Sequence, residues 1–580
     1  MSLTKVSYSL ITGAPVNAVD YGVSTAAADN STAIIAAEAA AYAAGAILYF
    51  PPGSYNTSTA QVYRCSISGY GATLNNISNV EVVSSNGAIV RAGANNIFVE
   101  GLTVDGNSTA TGFQNDGYDH VAYRDCVALS CLNTGFIAFN AKQGSYTNCR
   151  VDGVIYAAAQ LIRADGFYAE SCDDFSYLNC IAENFERIGF VSEGAGGIDS
   201  NRPRFVSCVA KNASNSDRSV AEYNAGFWCE NTNGAFLDDV SCINIGSGVG
   251  QTSQRVVGVT LNGTGNSTAS INTLTNFIIG ENAARILNAV AITSSINTAS
   301  FAIENGYITF YARGVAPSGT MDSLTIKNVT FKDGNYTTAG TGCVAFDNVS
   351  INEITIDNIR EINATYTDTD AASFNYITNG ASGNKNLTIT NCNGITTRTV
   401  AGLNNVTINN CLIYKRSSNF DLIGQNGLLT VSNSIIEQLA GNTAIFNGAA
   451  CGNSAETLIS NTKFVNISSF NTFKGLRLSI NNCLFSETRL DWNTNLNDCL
   501  LKVNNCTWKN TTLECIRTQF YNNTNDTFIA QNNTFLTGAA VAILKRTFDP
   551  DYVVLQGNTF NNAALTNLTT TSAVNNVATP

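Results

Sequence analysis

From about residue 60 onward, the chain alternates apolar and polar residues in short runs broken by Asn, Gly and Ser. Successive side chains of a strand point to opposite faces, so such runs read as strands with one apolar face. Between residues 126 and 262 the runs fall into one repeated phrase. A cysteine follows a short apolar stretch, and a Gly-Phe-like pair then opens the next strand. The cysteines are Cys126, Cys149, Cys180, Cys208 and Cys242. The pairs are Gly135-Phe136, Gly166-Phe167, Gly189-Phe190, Gly226-Phe227 and Gly258-Val259. Farther on the phrase becomes LTIKNVTF (324–331), ITIDNI (354–359), LTITNC (387–392), VTINNC (406–411), LSINNC (478–483) and LKVNNC (501–506), running to about Phe560. Leu, Ile, Val and Phe alternate inward there. Asn recurs at the turn, where it tolerates the left-handed conformation and can stack in hydrogen-bonded ladders. Repetition of this kind predicts an all-β parallel solenoid rather than a set of separate globular domains.

One segment reads as helix. Asp29-Asn30-Ser31-Thr32 is a cluster of N-cap residues before AIIAAEAAAYAA, and Gly45 supplies a left-handed stop. A strand over 47–50 and the turn Pro51-Pro52-Gly53 follow. The open end of a solenoid exposes apolar core and strand edges, so a helix placed there reads as a lid. The organisation expected is an extended lead-in over 1–20, the capping helix and first strand over 21–60, and a central solenoid with a glycan groove over 61–313. An interruption around Pro317 at 314–320 and C-terminal repeats over 321–580 complete it.

The residues of the cap carry a resemblance. Asp20-x-Gly22, Asp29, Thr32-Ala33-Ile34, Gly45 and Phe50-Pro51-x-Gly53-x-Tyr55 resemble the N-terminal cap of pectate-lyase-type right-handed β-helix proteins. The preceding Tyr8-Ser9-Leu10-Ile11-x-Gly13-x-Pro15-Val16-Asn17 is similar to the lead-in of bacteriophage tailspikes and tail fibres. The match covers about a tenth of the chain and holds no catalytic residue. It implies a right-handed parallel β-helix with a short N-terminal capping helix, assembled as a homotrimer. It further implies a virion protein joined to the phage tail or baseplate through its N-terminus, which binds and often cuts bacterial surface polysaccharide.

Composition agrees with strands and short polar turns. Charged residues are 13% of the 580, and none of the seven prolines falls inside an expected repeat strand. A net charge of −12 without a Lys/Arg cluster argues against nucleic acid or an anionic membrane as partner. Met1 to Ala14 has no apolar run suited to a signal peptide, and no later run approaches a membrane span, so synthesis in the host cytoplasm is expected. The 17 cysteines occupy a regular place in the repeat and read as small apolar side chains stacked rung on rung. No CxxC pair occurs, and neither a metal nor another cofactor is expected.

The candidate chemistry lies in the Gly-Phe strands. Aligned on the glycine, their fifth residues are Phe139, Glu170, Glu193, Glu230 and Asn262. If Phe190 points inward, Ser192 does too, and Val191 and Glu193 face solvent. The same rule turns Tyr168 with Glu170, and Trp228 with Glu230, outward. Carboxylates among aromatic rings suit a saccharide groove, because glycoside hydrolysis uses two carboxyl groups flanking the bond. Rungs about 4.8 Å apart would put neighbouring glutamates at about 5 Å, near the retaining spacing. Glu170 and Glu230 would stand about 10 Å apart, at the upper edge of the inverting spacing. Glu193, in the middle, is the first choice of catalytic residue, with Glu170 or Glu230 as its partner. Tyr168 and Trp228 are the expected sugar platforms, and Glu222 and Asp199, with Asp173 and Asp174, are loop acids that could line the groove.

Other readings stand beside this one. The glutamates could be a solvated stripe, or could pair with Arg163, Arg187, Arg202 or Arg204. A polysaccharide lyase acting by β-elimination would need Ca²⁺ or another neutraliser of a uronate carboxylate and an Arg or Lys base, for which Lys142 and Arg163 are nearest. A tail fibre or adhesin that only binds glycan needs none of this chemistry. His120, the single histidine, has Asp116 and Asp119 nearby, but no GxSxG elbow surrounds a serine, and a surface histidine is the simpler reading. Trp492 and Trp508 read as packing or trimer contacts.

Overall fold

The computed structural model describes residues 13–78, 87–156, 164–213, 224–246, 256–263, 271–281, 286–295, 297–336, 342–366, 374–375, 377–378, 386–396, 399–403 and 405–415. It further describes 421–424, 428–438, 456–467, 470–471, 477–494, 498–511, 514–520, 525–538, 541–545, 550–561, 564–567 and 572–578. The start of the lead-in, Arg163, Glu222 and Cys451 lie outside the described residues.

The N-terminal helix spans Ser31–Ala44 and ends at Gly45, whose φ of 60° is the left-handed stop. At its start Asp29, rather than the boundary residue Asn30, supplies the cap. Asp29 Oδ1 accepts from the Ser31 amide at 2.9 Å and the Ser31 hydroxyl at 2.6 Å, and Oδ2 accepts from the Ser58 hydroxyl at 2.6 Å. The Ser31 and Ser58 hydroxyls hold the Asp29 carboxyl down at about 2. Asn30 is used elsewhere, accepting from the Ser24 amide and donating to the Asn56 carbonyl. Glu38, nearly buried on the helix, accepts from the Arg64 amide at 2.8 Å and from its guanidinium at 3.1 and 2.8 Å. That fork ties the helix to the first strands.

The chain falls into two compact units, dividing among residues 300–312. Each is built of right-handed parallel β-helix rungs. In the first unit three strands make a rung. Ser145–Thr147, Arg150–Ile155 and Asp165–Glu170 form one. Ser176–Leu178, Ile181–Phe185 and Ile188–Glu193 form the next, pairing in parallel with its predecessor strand by strand.

The interior is laddered. Phe113, Phe136, Phe167, Phe190 and Phe227 stack at 4.5, 5.0, 4.9 and 4.8 Å between ring centroids, all fully buried. Across the core Tyr177 meets Phe190 edge-on at 6.1 Å and stacks on Phe205 at 4.3 Å. The glycine before each Phe has a steric cause. A Cβ on Gly166 would stand 2.6 Å from the Gly189 carbonyl oxygen, and one on Gly189 would stand 2.8 Å from that of Gly226. Only hydrogen fits where one rung lies against the next. Cys126, Cys149, Cys180 and Cys208 are buried and free, and each donates from Sγ to the carbonyl of a preceding strand at 3.4 Å. Cys242 is likewise buried and free.

In the second unit the strand phrases pair in register. Leu324, Ile354, Leu387, Val406 and Leu429 follow one another inward. The turn asparagines adopt the expected left-handed conformation, with φ of 52–56° at Asn358, Asn391 and Asn410. They form the expected ladder: Asn410 donates to Asn391 at 2.8 Å, and Asn391 to Asp357 at 2.7 Å. Residues 314–320, the expected interruption, lie within the strand Tyr311–Lys332, whose pairing register shifts between Ser318 and Gly319. Trp492 and Trp508 are both fully buried. Trp508 stacks between Phe485 and Phe535 at 4.4 and 5.0 Å, so its role is packing inside the coil.

Candidate active site

The strands Asp165–Glu170, Ile188–Glu193 and Asn224–Glu230 are successive neighbours in one sheet. Their register pairs Phe167 with Phe190 and Phe227, and Glu170 with Glu193 and Glu230. The glutamates therefore form one column at the strand ends, each of them partly exposed. Inward parity also holds: Ser192 is fully buried beneath the column, its hydroxyl 2.9 Å from that of Ser200.

The column is longer than the repeated phrase suggests. Phe139 pairs with Glu170 on one side and Asp116 on the other, so Asp116 belongs to the same row, two rungs from Glu170. The signal lies in Gly112-Phe113-Gln114-Asn115-Asp116, which repeats Gly-Phe-x-x-acid. No cysteine introduces that strand, and a phrase anchored on cysteine passes over it.

The row two residues earlier departs from expectation. Ile137, Tyr168, Val191 and Trp228 are in register on the face opposite the Phe ladder. That face is not open to solvent here. Tyr168 and Val191 are fully buried, in an apolar cluster with Ile137, Ile188, Ala225 and Val257. Parallel sheets are commonly covered on both faces, and this one is apolar on both. Tyr168 is therefore no sugar platform: its ring is enclosed and only its hydroxyl reaches the column. That hydroxyl lies 2.6 Å from Glu170 Oε2 and makes a still closer contact with Glu193 Oε1. Trp228 is half-buried against the cluster and donates its indole N–H to Glu230 Oε2 at 2.8 Å.

The cations take particular partners. Arg187 Nε pairs with Asp165 Oδ1 at 2.8 Å, with the Asp165 side chain fully buried. Burial works against the Arg187 charge, but Asp165 outweighs it, and the guanidinium is held above its ordinary range with Glu193 adding to the effect. Arg202 pairs with Asp174 at 2.6 Å and Arg204 lies over the Phe236 ring. The guanidiniums of Arg187 and Arg202 are thus engaged with aspartates of the preceding rung. Asp199 is half-exposed, just after the Ala195–Ile198 turn that follows Glu193. Asp173 accepts from Asn201 at 2.7 Å. His120 is an exposed turn residue with φ of 57°, its amide donating to the Lys142 carbonyl. Among the described residues, no group of three or more His, Cys, Asp or Glu side chains is placed to hold a metal ion.

No protein-family model matches the chain, and no curated protein matches it in sequence. Solved structures do. Geobacillus virus E2 ORF18 is similar at 12% identity, covering 60% of this chain and 61% of that one, with a TM-score of 0.36. The tailspike gp61 of Pseudomonas phage phi297 is similar at 11% identity, covering 60% and 84%, with a TM-score of 0.34. A family 28 exopolygalacturonase of Yersinia enterocolitica is similar at 11% identity, covering 81% and 77%, with a TM-score of 0.31. The chain thus spans about three fifths of the length of ORF18. Similarity of this degree assigns no chemistry to this chain.

Proposed function

We propose that the chain is a phage tailspike that binds and depolymerises a bacterial surface polysaccharide, capsule or O-antigen, by hydrolysis at the acidic column. The observation that carries this reading is the register of Glu170, Glu193 and Glu230 on three adjacent rungs. One phenolic oxygen touches both Glu170 and Glu193, so their carboxyls stand within about 5 Å of each other. That separation suits retaining hydrolysis better than the wider spacing an inverting enzyme needs. In such a cycle one carboxylic acid gives its proton to the glycosidic oxygen. The neighbouring carboxylate oxygen forms a bond to the anomeric carbon as the bond to the leaving sugar breaks. Water then attacks that carbon as its bond to the enzyme carboxylate breaks, freeing that carboxylate, and the first carboxylate takes the proton from the water. Glu193 serves as one half of the pair and Glu170 as the other. Glu230 and Trp228 form the adjoining edge of the groove, and Asp199 its loop side.

The resemblance of the cap motifs extends the proposal to a parallel homotrimer attached to the tail through its N-terminal segment. Incubation with purified capsules and O-antigens from a panel of bacteria tests the reading. Shortened chains with new reducing ends support hydrolysis. Unsaturated ends would indicate a lyase, and binding without shortening would indicate an adhesin. Light scattering should show a trimer at micromolar concentration, and a stable monomer would contradict the assembly.

A further inference from the structure

We propose that Gln114 and Thr134 form a sugar-binding subsite at the Asp116 end of the acidic column, where the Gln114 amide grips two neighbouring hydroxyls of one sugar unit. The inference rests on the polysaccharide binding of the proposed function, and not on which carboxyls carry the hydrolysis.

Gln114 lies on the strand Thr111–Asp116, in the row that continues through Ile137, Tyr168, Val191 and Trp228. It stands two residues before Asp116, as Tyr168 stands before Glu170 and Trp228 before Glu230. The Tyr168 hydroxyl and the Trp228 indole each reach an acid of the column. The Gln114 amide reaches nothing. The residue is 1% exposed, yet neither its Oε1 nor its Nε2 has a hydrogen-bond partner. The backbone around it is held. The Tyr123 hydroxyl donates to the Gln114 carbonyl at 2.7 Å, and the Asn115 side chain closes on the Tyr118 backbone at 2.8 and 3.2 Å. On the adjoining strand Thr134 is fully buried, and its Oγ1 hydroxyl also has no partner. Thr134 precedes Gly135 as Ile188 precedes Gly189 and Ala225 precedes Gly226. Ile188 and Ala225 belong to the apolar cluster, so this face of the sheet changes from apolar to polar toward the Asp116 end.

Three enclosed polar atoms without partners destabilise the fold. Native proteins pair nearly all such groups, and an apolar side chain of the same shape would serve packing better. A partner from outside the chain accounts for their presence. The amide sets that partner's chemistry: Oε1 accepts and Nε2 donates from adjacent corners of one plane, and the Thr134 hydroxyl does either. Vicinal sugar hydroxyls match, one giving its proton to Oε1 and its neighbour accepting from Nε2. A trans acetamido group does not match, since its N–H and C=O point in opposite directions. A carboxylate does not match either, because it only accepts, and Asp116 stands exposed two residues away. The sugar enters from the Asp116 side. The subsite lies two rungs, about 10 Å, from the Glu170 strand, so it holds a unit beyond the two that flank the bond being cut.

The test is binding by the full chain, in a Glu193→Gln background that leaves the polysaccharide intact. The probe is the capsule or O-antigen that wild type shortens. There Gln114→Met is expected to weaken binding at least about tenfold, and Thr134→Val at least about threefold. Neither should lower the urea midpoint, since each removes an unpaired polar group and keeps its shape. The same probe is then treated with periodate and borohydride, which opens the carbon–carbon bond between vicinal hydroxyls. On the treated polymer the Gln114→Met penalty should shrink to within about threefold, because the pair of hydroxyls that the amide reads is gone. Variants that bind as tightly as the background protein would overturn the proposal, as would a penalty unchanged on the treated polymer. A midpoint that falls steeply in both variants would overturn it too, by making these groups part of the fold. If Glu193→Gln still cuts, kcat/KM of the single variants gives the same comparison. A chain that binds no polysaccharide fails the proposed function and the subsite together, whereas equal binding by Gln114→Met of a polymer that wild type cuts fails the subsite alone.

Discussion

Replacing Phe190 with Ala removes the central ring of the aromatic ladder. The ring is fully buried, lies parallel to Phe167 and Phe227 at 4.9 and 4.8 Å, and meets Tyr177 and Phe205 edge-on at 6.1 and 6.3 Å. Truncation of a buried Phe costs about 3–5 kcal/mol, and the cost is highest where the surroundings cannot collapse into the space. Here they cannot collapse readily. The rungs above and below are held apart by the parallel backbone pairing of Phe190 with Phe167 and with Phe227. A loss of about 4–5 kcal/mol is therefore expected, a large part of the roughly 5–15 kcal/mol that holds a domain folded. Urea denaturation followed by intrinsic fluorescence, with trypsin susceptibility as a second probe, measures it. Ile198→Ala is the control, since Ile198 is 58% exposed on a turn and should change stability by less than about 0.5 kcal/mol. A Phe190→Ala protein within about 1 kcal/mol of wild type would show that the ladder does not hold the rungs as described.

Two other outcomes are expected. The Asp29 carboxyl is held at about 2 against an ordinary 3.8, so its contribution to the helix cap is complete above pH 3.8 and fades as pH falls toward 2. Thermal melts of wild type and Asp29→Asn should therefore differ at neutral pH and converge near pH 2; a gap that is constant across this range would contradict the capping role. Burial pushes the Cys131 and Cys229 thiols up to about 12. A thiol reagent at mildly alkaline pH should leave them unlabelled until the chain is denatured, whereas mass spectrometry showing them labelled in the native protein would refute their burial.

Much of this architecture is legible in the sequence because the period of a strand fixes parity. Phe190 and Ser192 inward with Glu193 outward follows from alternation alone, and the structure keeps it. The left-handed stop at Gly45 and the Asn turns are equally local, set by one residue's backbone preference. The environment of the outward face is not local. Tyr168 and Val191 have the parity of solvent-facing residues, yet both are fully buried in a second apolar cluster. Alternation says which face a side chain takes and nothing of what lies over that face. Asp116 was hidden differently: its strand carries the Gly-Phe-x-x-acid pattern but lacks the cysteine that marks the later repeats. The bridging of two glutamates by one hydroxyl requires atomic positions, because Tyr168 and Glu193 are brought together by pairing across 25 residues of chain.

The central claim is that the acidic column carries glycan hydrolysis, and Glu193→Gln tests it most directly. The substitution keeps the shape of the side chain and removes its proton chemistry. On a capsule or O-antigen that wild type shortens, turnover should fall at least about a hundredfold, the lower scale of a general acid–base contribution. Polysaccharide binding and the denaturation midpoint should stay at wild-type values. Full turnover in Glu193→Gln would contradict the account, and would place the chemistry away from the Glu170, Glu193 and Glu230 column.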